Sequence, residues 1–395
     1  MTHMDDLLTR GVDQIIGLEE LEAALKGSRK LRIKFGVDPT RPDLHIGHAV
    51  VMNKLRQFQE LGHTVIFLIG DYTTKIGDPS GKNQTRPMLT DEEIAANVKT
   101  YLDQVGKVLD IKKAEVRYNS EWLGKLTFGE LIGLASNVSV AQIIERDDFK
   151  NRLASGSEIA LHELLYPLMQ AYDSVALEAD VEFGGSDQLF NLMTGRALQK
   201  KLGQRPQVVF TLELLVGLDG AKKMSKSLDN YVGVTDEPTD MFGKVMSLPD
   251  ALIAPYYKLC TEVPLTTIDE LVKTLAAGAN PRDSKASLAR EIVRIYHGEA
   301  AALAAEAAWN AQFRDGGRPD HIDLFVIKSG AHESFIDVLV DAGLASSKGE
   351  ARRLIEQGGV RLNDEPVQPG VEPELKNDQI LQVGKRRYLK LRLQK

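Results

Sequence analysis

Apolar and basic residues alternate through Leu31-Arg32-Ile33-Lys34-Phe35 and stop at Gly36, the period of a strand that runs into a loop. The loop, Val37-Asp38-Pro39-Thr40-Arg41-Pro42-Asp43, is dense in breakers. From Ile46 the period changes. Val51, Leu55 and Phe58 share one helical face until Gly62. Val65 to Ile69 is apolar without a gap, as in a strand covered on both faces of a parallel sheet. A second loop, Gly70 to Leu89, leads to Thr90 and Glu93, a capping box ahead of Ile94, Val98, Leu102 and Val105. Glu115 to Tyr118 predicts another strand, residues 121–172 read as mostly helical, and Val181-Glu182-Phe183 and Val208-Val209-Phe210 read as further short strands. This alternation predicts an α/β fold with a doubly wound sheet, whose ligands bind at the carboxyl ends of the strands.

From about Thr239 to Gln312 the pattern is helical and rich in alanine, which by itself is only strong helix propensity. Arg314-Asp315-Gly316-Gly317-Arg318-Pro319 reads as a linker, with a compact unit after about Glu333. There Phe335 to Ala345 predicts a helix ending at Gly343, and Ser347 with Glu350 a second capping box. Arg352 and Arg353 sit side by side on the next helix, which Gly358-Gly359 ends, and Val360 to Asp364 enters a turn.

Composition narrows the class. A chain of 395 residues with 43% apolar side chains holds two or three folded domains and is too apolar to be disordered. One cysteine, Cys260, excludes an internal disulfide framework and any multi-cysteine zinc site, and fits a reducing, cytoplasmic setting. The N-terminal residues lack the apolar run of a signal peptide, and the longest apolar runs are far short of a membrane span. The net charge of −7 argues against general binding to polyanions. Yet the last twelve residues hold six of the 49 basic side chains and none of the 56 acidic ones. Such a tail suits local contact with a polyanion, although on charge alone a solvated terminus is the plainer reading.

Two motifs carry chemistry. His45-Ile46-Gly47-His48 stands after a strand and loop at a helix start, where unpaired backbone N–H groups favour anions and two imidazoles can donate to phosphate oxygens. A zinc site is not expected: no glutamate follows the first histidine and no cysteine is near. Lys222-Lys223-Met224-Ser225-Lys226-Ser227 follows Gly217 to Gly220, a glycine-led basic loop able to fold over a triphosphate. Alone, each motif also has a bland reading, a chance helix start and an exposed basic loop.

Together they resemble the two signatures of class I aminoacyl-tRNA synthetases, in that family's order and separation. Phe35 to Thr40, Ile76-Gly77-Asp78-Pro79-Ser80-Gly81-Lys82, Tyr166 to Ser174, and Gly184-Gly185-Ser186-Asp187-Gln188 sharpen the likeness to bacterial tyrosyl-tRNA synthetases, over nearly the whole chain. The resemblance implies a Rossmann-type catalytic domain at residues 1–238, with a helical insertion at about 121–165. It further implies an α-helical anticodon-binding domain at 239–318, a linker at 319–332, and at 333–395 a small α+β RNA-binding domain of the ribosomal protein S-four type. It implies an enzyme that activates tyrosine with ATP and transfers it to tRNA, working in the cytoplasm as a homodimer, with Mg2+ arriving on ATP.

The resemblance also assigns residues. Thr40, His45, Lys82, Arg86, Lys223 and Lys226 would hold the β- and γ-phosphates. His48 and Asp187 would hold the nucleoside, and Asp38, Gly47, Ser225 and Ser227 would complete the ATP site. Asp78, Tyr166 and Gln170 would bind the amino group of tyrosine, Asp173 its phenol, and Gln188 its carboxylate, beside Gly36. On their i, i+4, i+7 spacing alone, Tyr166 as core with Gln170 and Asp173 as surface is the preferred reading; the likeness reverses it. Arg352, Arg353, Arg361, Lys385, Arg386 and Arg387 would neutralise RNA phosphates.

Two positions depart from many members: Lys34 stands where they carry a phenol-binding tyrosine, and Glu182 where they carry glutamine, as in a second bacterial subtype. Lys34 is expected to pair with an acid elsewhere, and Lys34→Tyr to be tolerated better than Asp173→Ala. The apolar residues Trp122, Leu131, Leu134, Val138, Val140 and Ile143 are expected at a dimer surface or, failing that, in the core. Three rivals remain: a tryptophanyl-tRNA synthetase, which Asp173 and the basic tail oppose; a non-enzymatic RNA-binding protein on a synthetase scaffold, which intact His45, His48, Lys223 and Lys226 oppose; and a small-molecule adenylyltransferase, for which the helical and RNA-binding regions would be idle.

Overall fold

A computed structural model describes residues 3–39, 44–80, 89–313, 322–328, 334–384 and 387–394. Thr40, Lys82, Arg86, Lys385 and Arg386 lie outside them. The chain divides into two compact units, residues 1–305 and 306–395.

The first unit is built on a six-stranded sheet: β1 Val12–Ile16, β2 Arg32–Val37, β3 Thr64–Ile69, β4 Glu115–Tyr118, β5 Val181–Gly185 and β6 Val208–Leu212. Their spatial order is β1-β6-β5-β2-β3-β4. All neighbours are parallel except β1 and β6. The sequence pattern finds the five parallel strands but misses β1, because Val12-Asp13-Gln14-Ile15-Ile16 does not alternate and its register is broken near Gln14. Strand β2 also runs two residues beyond Phe35, because Gly36 and Val37 pair with Leu68 and Ile69.

Order and direction place the topological switch between β2 and β5, where the chain leaves to opposite sides of the sheet and a crevice opens at the strand ends. The helix Ile46–Glu60 covers this region and buries Val51, Leu55 and Phe58 as its spacing predicts. Phe58 meets the Phe183 ring at 5.5 Å between centroids, and Phe183 stacks on Phe210 at 4.4 Å. The capping box before Asp91–Val105 forms as read: the Glu93 amide donates to Thr90 Oγ1 at 3.3 Å, and the Thr90 amide to Glu93 Oε2 at 2.8 Å. Residues 120–165 form short helices, and five more helices run from Pro238 to Phe313.

The second unit carries a five-stranded sheet, β7 Asp323–Lys328, β8 Val360–Leu362, β9 Glu365–Pro366, β10 Ile380–Val383 and β11 Arg387–Gln394, in the order β7-β11-β10-β8-β9. The helices Phe335–Asp341 and Lys348–Glu356 bury Val338, Leu339, Ala351 and Ile355 with Leu381 and Leu391 of this sheet. Strand β7 falls inside the stretch 319–332 expected to be a linker. The breakers upstream suggested a linker, but Leu324 to Ile327 are strand formers that pair in parallel with β11. The turn after Val360 is a two-residue hairpin with Asn363 and Asp364 both at positive φ, a conformation these residue types tolerate. Arg352, Arg353, Arg361 and Arg387 are exposed on this unit.

Candidate active site

The crevice at the ends of β2 and β5 is a cavity of about 740 Å³. It is lined by Gly36, Asp38, His45, Gly47, His48, Asp78, Tyr166, Gln170, Asp173, Asp187, Gln188, Lys223, Ser225, Lys226 and Ser227, which gathers every described catalytic, ATP and tyrosine candidate into one site.

At its floor Asp173 is nearly fully buried on the helix Tyr166–Ala176. Oδ1 accepts Trp122 Nε1–H at 2.7 Å, and Oδ2 accepts the Asn119 amide at 3.2 Å. Each oxygen keeps a second lone pair. Burial pushes the carboxyl up to about 6, against the opposing pull of the Lys34 charge and the two donors. Neither Asn119 nor Trp122 was legible as a site residue: Asn119 lies at a strand end in no motif, and Trp122 read only as apolar.

Lys34 lies beside this floor with no exposed surface, and its Nζ stands 2.8 Å from Glu182 Oε1. It also donates to Ser174 Oγ at 2.8 Å and to the Gln170 carbonyl at 3.1 Å. An ammonium has three hydrogens, and these three acceptors use them. Lys34 therefore pairs with the acid at the second departing position. Glu182 also accepts from Ser174 Oγ, the Gln170 amide and the Gln207 amide.

Midway, Tyr166 donates to Asp38 Oδ2 at 2.8 Å, and Thr73 Oγ1 donates to Asp38 Oδ1 at 2.8 Å. Burial, with Asp38 and Asp78 nearby, raises the Tyr166 phenol well above its ordinary value and keeps it neutral. Gly70 makes this arrangement fit: a Cβ there would stand 2.1 Å from Asp38 Oδ1. Asp78 accepts the Ser80 amide at 2.8 Å and the Gln188 side-chain amide at 2.8 Å, which ties together two segments 110 residues apart.

At the outer end the His45 and His48 rings lie 3.9 Å apart. The His45 backbone amide donates to His48 Nδ1 at 3.3 Å, so the remaining proton of neutral His48 sits on Nε2. Burial, with His48, Lys226 and Lys223 nearby, pushes His45 down to about 2. Burial and the two lysines push His48 to about 4. Both rings are neutral near pH 7, so each carries one N–H and no charge. A Cβ at Gly47 would stand 2.9 Å from His45 Nδ1, so the histidine ring occupies the space this glycine leaves. The segment that follows the lysine loop pairs with the same helix start: the Ile46 amide donates to Val232 O at 2.9 Å, and His45 bridges to Gly233. Lys223 pairs with Asp187 Oδ2 at 2.6 Å, Lys226 lies 5.2 Å from the Tyr231 ring centre, and Ser225 and Ser227 share a hydrogen bond of 2.9 Å.

Of the apolar residues expected at a dimer surface, several are spent inside the unit. Ile143 is buried. Leu134 and Val138 pack against Leu168, Ala171 and Leu198, and Trp122 against Ile66, Leu68 and Leu177. Val140 is exposed, joined by Phe128, Ile132 and Leu161, at 78%, 56% and 79% for the last three.

Residues 26–314 match the family model for class I tRNA synthetases of the W and Y type, and residues 336–380 match the S4 domain. The tyrosine--tRNA ligase of Haemophilus influenzae is 51% identical over 98% of this chain and 96% of its own length. That of Thermotoga maritima is 49% identical, with the same coverage. Among solved structures, tyrosyl-tRNA synthetase from Aeropyrum pernix is 25% identical, with a TM-score of 0.60 over 78% of this chain and 97% of its own. A C-terminally truncated mitochondrial tyrosyl-tRNA synthetase from Aspergillus nidulans shares the fold, with a TM-score of 0.64 over 79% of this chain and 94% of its own. Matched along almost its entire length and through both domain types, the chain belongs to the class I tRNA synthetases and, within them, to the tyrosine--tRNA ligases.

Proposed function

We propose that the cavity binds tyrosine with its phenol at the Asp173 floor and ATP at the His45–Lys226 end. The carboxylate of tyrosine attacks the α-phosphorus, an O–P bond forms, and the bond to pyrophosphate breaks. A ribose hydroxyl at the 3′ end of tRNA(Tyr) then attacks the acyl carbon and releases AMP. The carboxylate is already a competent nucleophile, so the protein's work is positioning and stabilisation of charge. The observation that carries this reading is that one cavity at the switch point is lined both by a buried carboxylate, Asp173, and by two neutral histidines and two lysines.

Asp78, Tyr166 and Gln170 face the ammonium group, and Gln188 the carboxylate. Gln170 Oε1 is buried without a partner among the described residues, an acceptor open to an ammonium hydrogen. His45 and His48 donate to phosphate oxygens and nucleoside, and Asp38, Gly47, Ser225 and Ser227 complete that end. Lys223 exchanges Asp187 for phosphate as ATP arrives, which releases Asp187 to the ribose. Thr40, Lys82 and Arg86 are assigned to the phosphates from sequence alone. Mg2+ would be carried in on the triphosphate. Exposed Arg352, Arg353, Arg361 and Arg387, with Lys385 and Arg386, neutralise tRNA phosphates. A substrate of this kind puts the work in the cytoplasm, and among the described residues no helix is long and apolar enough to cross a membrane.

Amino-acid-dependent exchange of pyrophosphate into ATP tests the assignment. Tyrosine alone is expected to support it; exchange driven by tryptophan, or by no amino acid, refutes it. Lys226→Ala is expected to slow adenylate formation by about 10²-fold or more while tyrosine binding barely changes, because the lysine meets charge that develops as pyrophosphate leaves. An unchanged single-turnover rate would remove Lys226 from this role.

The exposed Phe128 and Ile132, four residues apart on the helix Phe128–Ala135, with Val140 and Leu161, form the face of a homodimer. Sedimentation is expected to give twice the 43.6 kDa chain mass. A single 43.6 kDa species at micromolar protein counts against the dimer.

A further inference from the structure

Arg146 lies between the helices Val140–Ile144 and Asp147–Ala154, far in sequence from the motifs, yet it is only 5% exposed. Its guanidinium lies between two rings, 5.3 Å from the centre of Phe149 and 5.4 Å from that of Phe190. Nη1 donates to Asn191 Oδ1 at 2.7 Å, Nη2 to Ser80 Oγ at 2.7 Å, and Nε to Asp148 Oδ1 at 3.1 Å. Asn191, 1% exposed, passes the bond on: its Nδ2 donates to Gln188 Oε1 at 2.9 Å. Gln188 Nε2 in turn donates to Asp78 Oδ2 at 2.8 Å.

This chain has a direction that its two ends impose. A guanidinium can only donate and a carboxylate can only accept. Between them, both amides are held in one of their two orientations: Asn191 must turn its oxygen to Arg146, and Gln188 must turn its nitrogen to Asp78. We propose that Arg146 and Asn191 are positioning residues for the tyrosine backbone. They lock the Gln188 amide so that its nitrogen, with one hydrogen on Asp78, presents the other to the substrate carboxylate, and they hold the Asp78 carboxylate toward the ammonium group. Ser80, bonded to Arg146 and through its amide to Asp78, closes the ring. The proposal rests on the assignment of Asp78 and Gln188 to tyrosine made above.

Asn191→Asp tests it without emptying the site. The new carboxylate keeps the shape and the bond from Arg146, but an oxygen replaces the amide that donated to Gln188. Two oxygens then face each other, and the Gln188 amide can relieve this only by turning its own oxygen on Asp78. In pyrophosphate exchange the KM for tyrosine is expected to rise about tenfold, the scale of one misdirected buried hydrogen bond. The KM for ATP and kcat stay within about twofold, and the melting temperature is not lowered because the Arg146 pair is strengthened. A merely structural role would move the melting temperature and both KM values, and not the tyrosine value alone. If Asn191→Asp does not fold, Arg146→Lys decides by the same split, since one ammonium cannot span Asn191, Ser80 and Asp148. A folded variant with the wild-type tyrosine KM, or with an equal rise for ATP, overturns the proposal. If wild-type exchange depends on another amino acid, the functional assignment falls by itself, and the relay is read on the KM of that amino acid.

Discussion

Lys34→Met is expected to lower the stability of the protein by about 3–5 kcal/mol, and adding Glu182→Gln to recover most of the loss. The Lys34 and Glu182 side chains are 0% and 2% exposed and their charges 2.8 Å apart, with no water-facing surface to absorb a lone charge. Removing one partner leaves the other as an uncompensated buried ion, whereas removing both charges leaves a neutral polar amide. Ser174 Oγ and the Gln207 amide, which now donate to Glu182, can still donate to the oxygen of the amide that Glu182→Gln introduces. Calorimetry of the two single variants and the double variant gives the coupling directly, and near-additive losses would show that the pair is not a unit. Lys34→Tyr alone faces the same difficulty. The expectation that it is tolerated better than loss of Asp173 concerns chemistry at the phenol, and stability requires position 182 to change with it.

The same pair marks how far the sequence could be read. Lys34 and Glu182 are each visible as departures, but nothing in a linear pattern says that residues so far apart in the chain meet. Strands β2 and β5 supply that fact, because parallel register puts Lys34 opposite Glu182. Long-range contact also hid Asn119 and Trp122. A lone asparagine at the end of β4 and a tryptophan on a short helix have no spacing to give them away, and only the fold turns their N–H groups onto Asp173. By contrast, the five parallel strands, the helix after His45 and the Thr90 capping box are local in origin, and period and capping chemistry expose them. Strand β7 failed for the opposite reason, since strong local breakers just upstream outweighed a short strand whose partner lies at the far end of the chain.

Loss of Asp173 is expected to have the largest effect on activity. Asp173→Ala should cut kcat/KM for tyrosine by about 10²-fold or more, because a bond from the phenol to an ionised acceptor is lost and the Trp122 and Asn119 donors are left buried and unpaired, each at a cost of about 1–3 kcal/mol. Asp173→Asn keeps the volume but offers one oxygen to three donors, so it should also fail with tyrosine. Phenylalanine makes no such bond, so its kcat/KM should fall less in both variants, and the ratio of the two substrates should collapse. Lys34 cannot take over, because its three hydrogens already meet Glu182, Ser174 and the Gln170 carbonyl. The pH profile gives a second readout. Burial raises the carboxyl to about 6, so it is ionised above that value and protonated below it. A proton removes the charge that the phenol hydrogen seeks, so the KM for tyrosine should rise as pH falls through about 6, while the KM for ATP, whose neutral histidines titrate at about 2 and 4, stays level. In Asp173→Asn the tyrosine inflection should vanish. If the inflection persists there, or if the tyrosine-to-phenylalanine ratio is unchanged in both variants, the phenol is recognised by other groups of the cavity.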